Sequence, residues 1–462
     1  VGKYELNNMG TNKPAQKHIL SALSSIDKPI KVSELINFTS SPHAICRSLY
    51  KKGWVNIIKQ PQRTDPSEII SLRKPQDITL SKEQQYVFDK IINADKGFHP
   101  YLLHGVTGSG KTEVYLKLAQ EIIRNKLSVL VLVPEISLTP QVARRFRQAF
   151  GHRVALWHSH MTKSEKGWTW KKLKRGDYSI VVGARSAIFA PLKNLGLIII
   201  DEEQEASYKQ GDPAPRYHAR DVAIIRGKYA GAIVLLASAT PSLESYYNAI
   251  QKKFTLLQLT KRYGKSIYPA VQLINMKQQP FEQGSPLISH DLINAIRKCI
   301  EKSEQIILLQ NRRGFSVVQQ CMDCGFIKNC QHCSIAMTYH KTDNQFHCHY
   351  CNFIEDKKII CDDCESENLK YVGTGTQKVE DILEKQLPGV RILRMDMDTV
   401  RKKGSHEKIL QKFSNAKADI LLGTQMIAKG LDFENVTLVG IINSDSGLFF
   451  PDFRAGERVF QL

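Results

Sequence analysis

The sequence predicts an α/β protein made of two parallel-sheet units, preceded by a small helical module and interrupted by a metal-binding insertion. Three observations predict it. Short continuous Val/Ile/Leu runs alternate with helix-length amphipathic stretches over residues 79–259 and again after 286, as expected for strands covered on both faces. A glycine-rich run, G-V-T-G-S-G-K-T at 105–112, lies between a strand pattern and a helix pattern. Eight of the ten cysteines fall into four C-x-x-C pairs within 321–364, which in an intracellular chain signals metal and not disulfides.

Residues 18–58 alternate short helical patterns (Ile19, Leu20 and Leu23; Val32, Leu35 and Ile36; Ile45, Leu49 and Tyr50) and end in the strand-like run 54–58. That order predicts a winged helix-turn-helix over 1–59. Arg47, Lys51 and Lys52 on its third helix suit phosphate contacts or protein contacts equally. Residues 60–78 carry Pro61, Pro66 and Pro75 among polar residues and read as a linker. The first α/β unit spans 79–259, with candidate strands at 101–103, 129–133, 154–157, 180–182, 197–200 and 234–237. A turn-rich connector at 260–285 follows. The second unit takes 286–318 and 371–462, with candidate strands at 306–309, 391–395, 420–422 and 438–442, and the cysteine-rich insertion occupies 319–370.

At 462 residues the chain is long enough for two or three hydrophobic cores, and 42% hydrophobic with 24% charged residues is ordinary for soluble proteins. No apolar run reaches eighteen residues and no signal-peptide pattern opens the chain, so a cytoplasmic protein without a membrane partner is expected. The formal charge of +20 points to a polyanionic partner, nucleic acid ahead of membrane, because no basic amphipathic helix with an aromatic face is present. Eight thiolates and two Zn²⁺ together carry −4, which still leaves about +16. The chain begins at Val1 and ends inside a helical pattern at Phe460-Gln461-Leu462, so a piece of a longer protein is expected.

In the run at 105–112, Gly105, Gly108 and Gly110 let the backbone, with Val106, Thr107 and Ser109, curl around an anion at the positive end of the following helix. Lys111 would reach the β- and γ-phosphates of a nucleoside triphosphate, and Thr112 would hold Mg²⁺. The apolar run Ile198-Ile199-Ile200 ends in Asp201-Glu202-Glu203-Gln204. Asp201 suits Mg²⁺ through its water shell, and Glu202 suits a general base for the attacking water. Ser238-Ala239-Thr240 closes another strand pattern, where hydroxyls can relay the presence of the γ-phosphate.

Together with G-T-Q-M-I-A-K-G-L-D-F at 423–433, this set resembles the superfamily 2 helicases. V-G-A-R-S-A-I-F-A-P at 182–191, D-E-E-Q-E-A-S-Y-K-Q at 201–210, N-R-R-G-F at 311–315 and S-D-S-G-L-F-F-P-D-F-R-A-G-E-R at 444–458 narrow the resemblance to the primosomal protein N′ (PriA) family of bacterial replication-restart DNA helicases. It implies two RecA-like domains with ATP between them, and 3′ to 5′ unwinding of DNA at stalled or recombined forks. It also implies primosome proteins and single-stranded-DNA-binding protein as partners, and a nucleoid-associated location. The roles it implies are catalytic for Lys111, Asp201, Glu202 and Gln204, adenine contact for Gln84, and further nucleotide contacts for Gly430 and Asp432. DNA contact falls to Arg185, to an aromatic-rich loop with Tyr208, Tyr217, His218 and Arg220, and to Arg312, Arg313, Thr424 and Gln425.

Cys321, Cys324, Cys330, Cys333, Cys348, Cys351, Cys361 and Cys364 form pairs separated by five, fourteen and nine residues. Each pair supplies two thiolates from one tight turn, and two pairs complete a tetrahedral S₄ site for Zn²⁺. Spacing leaves three ways of joining four pairs. The resemblance implies nesting, with Cys321, Cys324, Cys361 and Cys364 on one Zn²⁺ and Cys330, Cys333, Cys348 and Cys351 on the other. Closed Cys₄ sites are structural. His332, His347 and His349 lie near enough to substitute as ligands, but eight cysteines suffice.

Gln204 stands where the family usually has histidine, which is expected to alter coupling more than to abolish hydrolysis. Gly456 replaces a usual serine without an expected consequence. The family's N-terminal DNA-binding domain and its Q-x-x-G-R-x-G-R motif have no counterpart in the residues given. Arginine fingers contribute about 10³–10⁵ in rate, so slow hydrolysis is expected. The rival readings are another superfamily 2 nucleic-acid translocase and a non-catalytic, zinc-stabilised DNA- or primosome-binding fragment.

Overall fold

The computed structural model describes residues 14–24, 30, 32–37, 39–57, 79–94, 97–134, 140–159, 161–263, 268–276, 287–310, 318–333, 335–340, 344–348, 351–372, 376–396, 405–424, 427, 433–448 and 452–462. The chain divides into two compact units, Val1–Glu68 and Ile69–Leu462, a division that falls inside the segment expected to be a linker.

In the first unit, helices α1 (Pro14–Ser24) and α2 (Pro42–Lys51) flank a 3₁₀ segment, Val32–Asn37. Proline begins both helices, where its missing N–H costs nothing. Ile19, Leu20, Leu35, Cys46 and Leu49 form a small buried core, which accounts for one of the two lone cysteines as a packing residue. The middle pattern closes as 3₁₀ and leaves Ile36 exposed, and no strand forms at 54–57, so the described residues show the helical part of the expected module without its wing.

The second unit opens with α3 (Lys82–Ile92), β1 (His99–Gly105), α4 (Lys111–Arg124), β2 (Ser128–Leu132), α5 (Pro140–Phe150), β3 (Val154–Trp157), α6 (Lys163–Arg175), β4 (Ile180–Gly183) and β5 (Leu195–Asp201). It continues through a two-residue ribbon, β6 (Lys209–Gln210) and β7 (Tyr217–His218), then α7 (Ala219–Ala230), β8 (Ile233–Ser238), α8 (Leu243–Ile250) and β9 (Thr255–Leu259). Seven strands form one parallel sheet in the order β3-β4-β2-β5-β8-β1-β9.

The alternation of strand side chains builds two cores. Tyr101, Leu103, Leu197 and Ile199 face one layer, while Leu102, Ile198 and Ile200 face the other. Burying each such aliphatic side chain contributes roughly 1.5–3 kcal/mol, and this two-sided burial is why the strands read as unbroken apolar runs. Gly183, at the end of β4, is required by close approach, since a Cβ there would lie 2.3 Å from the Trp157 carbonyl oxygen.

The register fixes where the chemistry sits. His104 aligns with Ser238, and Asp201 with Ala237, so β1, β5 and β8 end at one level in the middle of the sheet. The phosphate-loop sequence, the carboxylates and Ser-Ala-Thr therefore meet at the carboxyl edge.

The remaining elements are α9 (His290–Glu301), β10 (Gln305–Gln310), the insertion strands β11 (Val318–Cys321), β12 (Thr338–His340), β13 (Gln345–His347), β14 (Ile354–Asp356) and β15 (Leu369–Val372), then α10 (Thr376–Gln386), β16 (Ile392–Met395), α11 (Ser405–Ser414), β17 (Ile420–Gly423), β18 (Val436–Ile442) and α12 (Ala455–Gln461). A four-stranded parallel sheet, β16-β17-β10-β18, forms the second domain. Antiparallel pairing of β11 with β15 closes the base of the insertion.

Candidate nucleotide and nucleic-acid site

The loop before α4 adopts the conformation its glycines allow. Gly108 and Gly110 lie at φ +78° and +76°, where a side chain would be strained. Ser109 N–H donates to the Val106 carbonyl at 3.0 Å, and Lys111 Nζ donates to the Gly105 carbonyl at 2.8 Å. Gln84 is almost fully buried behind this loop. Its Oε1 accepts from Ser81 N–H at 2.8 Å and its Nε2 donates to the Ser109 carbonyl at 2.8 Å, so the amide expected at adenine here braces the loop and caps α3. Glu83 beside it accepts from the Thr260 N–H at 3.0 Å and the Thr260 hydroxyl at 2.8 Å, and Tyr263 N–H donates to the Gly108 carbonyl at 2.8 Å. The connector after β9 is thereby tied to the loop.

Asp201 ends β5 beside the loop. Its Oδ1 accepts from the Tyr115 hydroxyl at 2.9 Å, and its backbone carbonyl accepts from the Tyr208 hydroxyl at 2.6 Å. Burial, and next the charge of Glu202, push its carboxyl up to about 6, while Lys111 acts in the opposite direction. A divalent cation held beside Asp201 would supply the counter-charge that favours its ionised form. Glu202 sits at φ +48°, a strained position for a residue with a side chain, and accepts from Gln204 Nε2 at 2.7 Å. Gln204 thus orients the candidate base, a contact its place in the motif did not foretell.

Glu203, unassigned from sequence, is the hub of the site. Fully buried, its carboxylate accepts from Ser242 N–H at 2.7 Å, Ser242 Oγ at 3.1 Å, Ser245 Oγ at 2.8 Å and Arg220 Nη1 at 3.2 Å.

The aromatic loop needs two corrections. Tyr208, expected to stack on bases, is fully buried at the end of a 3₁₀ turn, Ala206–Tyr208, which packs it into the core with Ile198 and Ile200 and lets its hydroxyl donate to the Asp201 carbonyl, despite the polar sequence around it. Arg220, expected at DNA phosphates, is 11% exposed and points inward to Glu203, since a buried carboxylate needs a counter-charge. Burial, then Arg220, lowers the His218 pKa to about 4, so this residue is neutral near pH 7 and its Nδ1 accepts from Arg220 N–H. Arg185 donates to the carbonyls of Ser207 at 3.3 Å and Lys209 at 2.8 Å, which holds the loop in place. Tyr217 is half-buried and packs edge-on against Phe189 at 5.0 Å, while Phe189, Lys209 and Arg216 are exposed. Those three residues were not singled out from sequence, because exposure was the signal they needed.

Thr424 directly follows β17 in the second domain, with its carbonyl accepting from Ile427 N–H. Arg312, Arg313, Gln425, Gly430 and Asp432 lie outside the described residues, as does His349.

The eight cysteines gather into two groups, Cys321, Cys324, Cys361 and Cys364, and Cys330, Cys333, Cys348 and Cys351, with ligand atoms in each within 4.8 Å of one another. This is the nested pairing. Sulfur separations of 3.6 Å for Cys321–Cys364, Cys324–Cys361 and Cys330–Cys351 match the edge of a tetrahedron with bonds of about 2.3 Å. Phe326 and Asp363 donate backbone N–H groups to Cys324 and Cys361 Sγ, as ligands in a tight metal-binding turn require. Lys328, 8% exposed, pairs with Glu355 and Asp362, both at 2.5 Å, and joins the segments carrying the two groups. Among the described residues the buried cluster here is small, Cys330, Met337, Phe346 and Cys348 with Ile335, Tyr339 and Phe353 packed against it, as expected of a segment that relies on metal.

Comparison with known proteins agrees with this geometry. Residues 81–249 match a DEAD/DEAH box helicase model, 330–355 the PriA DNA helicase Cys-rich region (CRR) domain, and 358–454 a helicase conserved C-terminal domain. Over 97% of its length the chain is 45% identical to the replication restart protein PriA of Bacillus subtilis. The chain belongs to the PriA family. It is also 42% identical to the PriA protein of Chlamydia pneumoniae and 40% identical to that of Synechocystis, over 97% and 96% of this chain. It spans 56%, 61% and 54% of those three relatives. The PriA assignment makes the two parallel sheets RecA-like helicase domains and the two Cys₄ groups structural zinc sites. Among the described residues, no helix is long and apolar enough to cross a membrane.

Proposed function

We propose that this chain is the motor portion of an ATP-dependent DNA helicase that unwinds forks with 3′ to 5′ polarity and supports replication restart in the bacterial cytoplasm, at the nucleoid. The observation that carries the reading is the meeting of Lys111, Asp201, Glu202 and Ser238 at one sheet edge, in a PriA-family chain. In this account Lys111 exchanges its bond to the Gly105 carbonyl for the nucleotide phosphates, and Thr112 and Asp201 hold Mg²⁺. Glu202, fixed by Gln204, accepts a proton from the attacking water. Exposed Lys209 and Arg216 with Phe189 and Tyr217 offer cations and an aromatic face to single-stranded DNA. Primosome proteins and single-stranded-DNA-binding protein are the partners this role requires.

Strand separation on forks with a 3′ single-stranded arm, assayed with and without ATP, tests the proposal. ATP-dependent separation of DNA forks supports it. Separation of RNA forks alone, or separation independent of ATP, overturns it.

A further inference from the structure

Helix α8 begins at Ser242, whose side chain caps it by accepting from Ser245 N–H at 3.3 Å. The same residue is bound from three sides. Its N–H and hydroxyl both donate to Glu203, the neighbour of the candidate base Glu202, and its hydroxyl oxygen accepts from Arg220 Nη1 at 2.7 Å. Glu203 N–H also donates to the Ala237 carbonyl at 3.1 Å, so carboxylate motif, β8 and the start of α8 move as one piece.

The next two residues face the other domain. Leu243 N–H, one of the helix-start donors with no partner inside α8, donates to Glu457 Oε1 at 3.0 Å. A carboxylate there also meets the positive end of the helix dipole. Glu244 pairs with Arg454. Arg454 and Glu457 lie at the start of α12, in the second domain. Within three consecutive residues, the first domain thus grips its catalytic carboxylate motif and its partner domain.

We propose that this turn is a docking joint that conveys the position of the second domain to the catalytic carboxylates, with Arg454 and Glu457 as its positioning residues. The inference rests on the motor reading and adds a route by which the two domains communicate. The strengths of the two halves fit it. Glu203 and Arg220 are buried at 0% and 11% exposure, so that half is permanent. Arg454 and Glu244 are 40% and 38% exposed, and ion pairs in water contribute only about 0–1 kcal/mol, so this half can open and close within a working cycle. A displaced α12 withdraws the acceptor from Leu243 N–H and moves the start of α8 as a unit, so Ser242 carries Glu203 and its neighbour Glu202 with it.

The test is a charge exchange: Glu244→Arg, Arg454→Glu and the two together. ATP turnover is read with and without forked DNA, and hydrogen exchange is read at the amides of residues 243–245. Couplings between sites typically amount to about 5–150-fold, and we expect each single change to lower DNA-stimulated kcat about tenfold, with DNA-independent turnover and KM for ATP within about twofold. Exchange at Leu243 rises in both singles, and the pair restores kcat and protection to within about threefold of the starting protein. Unchanged stimulation with unchanged exchange in the singles, or a pair no better than its singles, overturns the joint. Should a single reversal fail to fold, Glu457→Ala, which removes the acceptor of Leu243 N–H, replaces it, with faster exchange at Leu243 as the expected result and unchanged exchange as the contrary one. A starting protein without ATP turnover overturns the motor reading instead, and the exchange measurement still decides the docking.

Discussion

Replacing Arg220 by methionine separates two views of the aromatic loop. If the side chain contacted DNA phosphate, its loss would cost affinity and leave the fold alone. Among the described residues it is the one cation bonded to Glu203, which is fully buried and otherwise bonded to one amide and two hydroxyls. Removing one member of a buried ion pair strands the other charge, at a cost of about 3–5 kcal/mol. The second pairing of Arg220, to the exposed Asp221, adds about 0–1 kcal/mol at most. For a domain of this size, each kcal/mol moves the melting temperature by roughly 2–4 °C, so the first domain should melt at least about 6 °C lower. Arg220→Met with Glu203→Gln removes both charges and should recover most of the loss, as a coupled pair requires. Thermal unfolding followed by circular dichroism gives the stabilities, and a salt titration of DNA binding gives the number of phosphates contacted. Unaltered melting together with a salt slope smaller by about one phosphate would refute the buried-pair account and return Arg220 to the DNA surface.

Lys111→Ala should abolish ATP turnover and leave DNA affinity within about twofold, because the lysine faces the phosphate loop; lost DNA binding with normal turnover, measured side by side, would contradict the site. Cys348→Ser or chelation should unfold residues 318–372 ahead of the first domain, since sulfur ligands and not apolar burial hold that segment; limited proteolysis with atomic absorption checks it, and a zinc-free but protease-resistant insertion would count against it. His218 binds a proton less readily folded, at about 4, than at its ordinary 6.5, so the unfolded chain carries more protons between those values. The His218 contribution to stability therefore rises with pH across that window and is lost as pH falls through it, while Asp201, raised to about 6, contributes in the opposite sense; His218→Gln should therefore make stability rise less with pH than in the native chain, in denaturant melts taken from pH 4 to 7.

The central strands were legible because burial on both faces writes them as unbroken apolar runs, and their ends carried the motifs. Strand β9 was not, since Thr255–Leu259 alternates exposed and buried positions at the sheet edge, beside a boundary drawn at Leu259. The zinc pairing was open from spacing and was supplied by resemblance, which the sulfur positions match. Tyr208 and Arg220 were misread because the loop's polar composition hides a 3₁₀ turn that buries Tyr208 and a helix start that aims Arg220 at Glu203. The hub role of Glu203 depends on Ser242 and Ser245, some forty residues away, and no local pattern announces such a contact. In the first unit the helical periodicity held at Ile19, Leu20 and Leu49, while the β-rich composition at 54–57 formed no strand, a case of propensity yielding to context.

The most direct measurement of the central claim is steady-state ATP hydrolysis with and without forked DNA, for the native chain beside Glu202→Gln. A positioned general base contributes about 10²–10⁴ in rate. Turnover that rises with DNA in the native chain and falls at least a hundredfold in Glu202→Gln, with ATP still bound, is the predicted result. Equal turnover in both proteins, or none that responds to DNA, would contradict it.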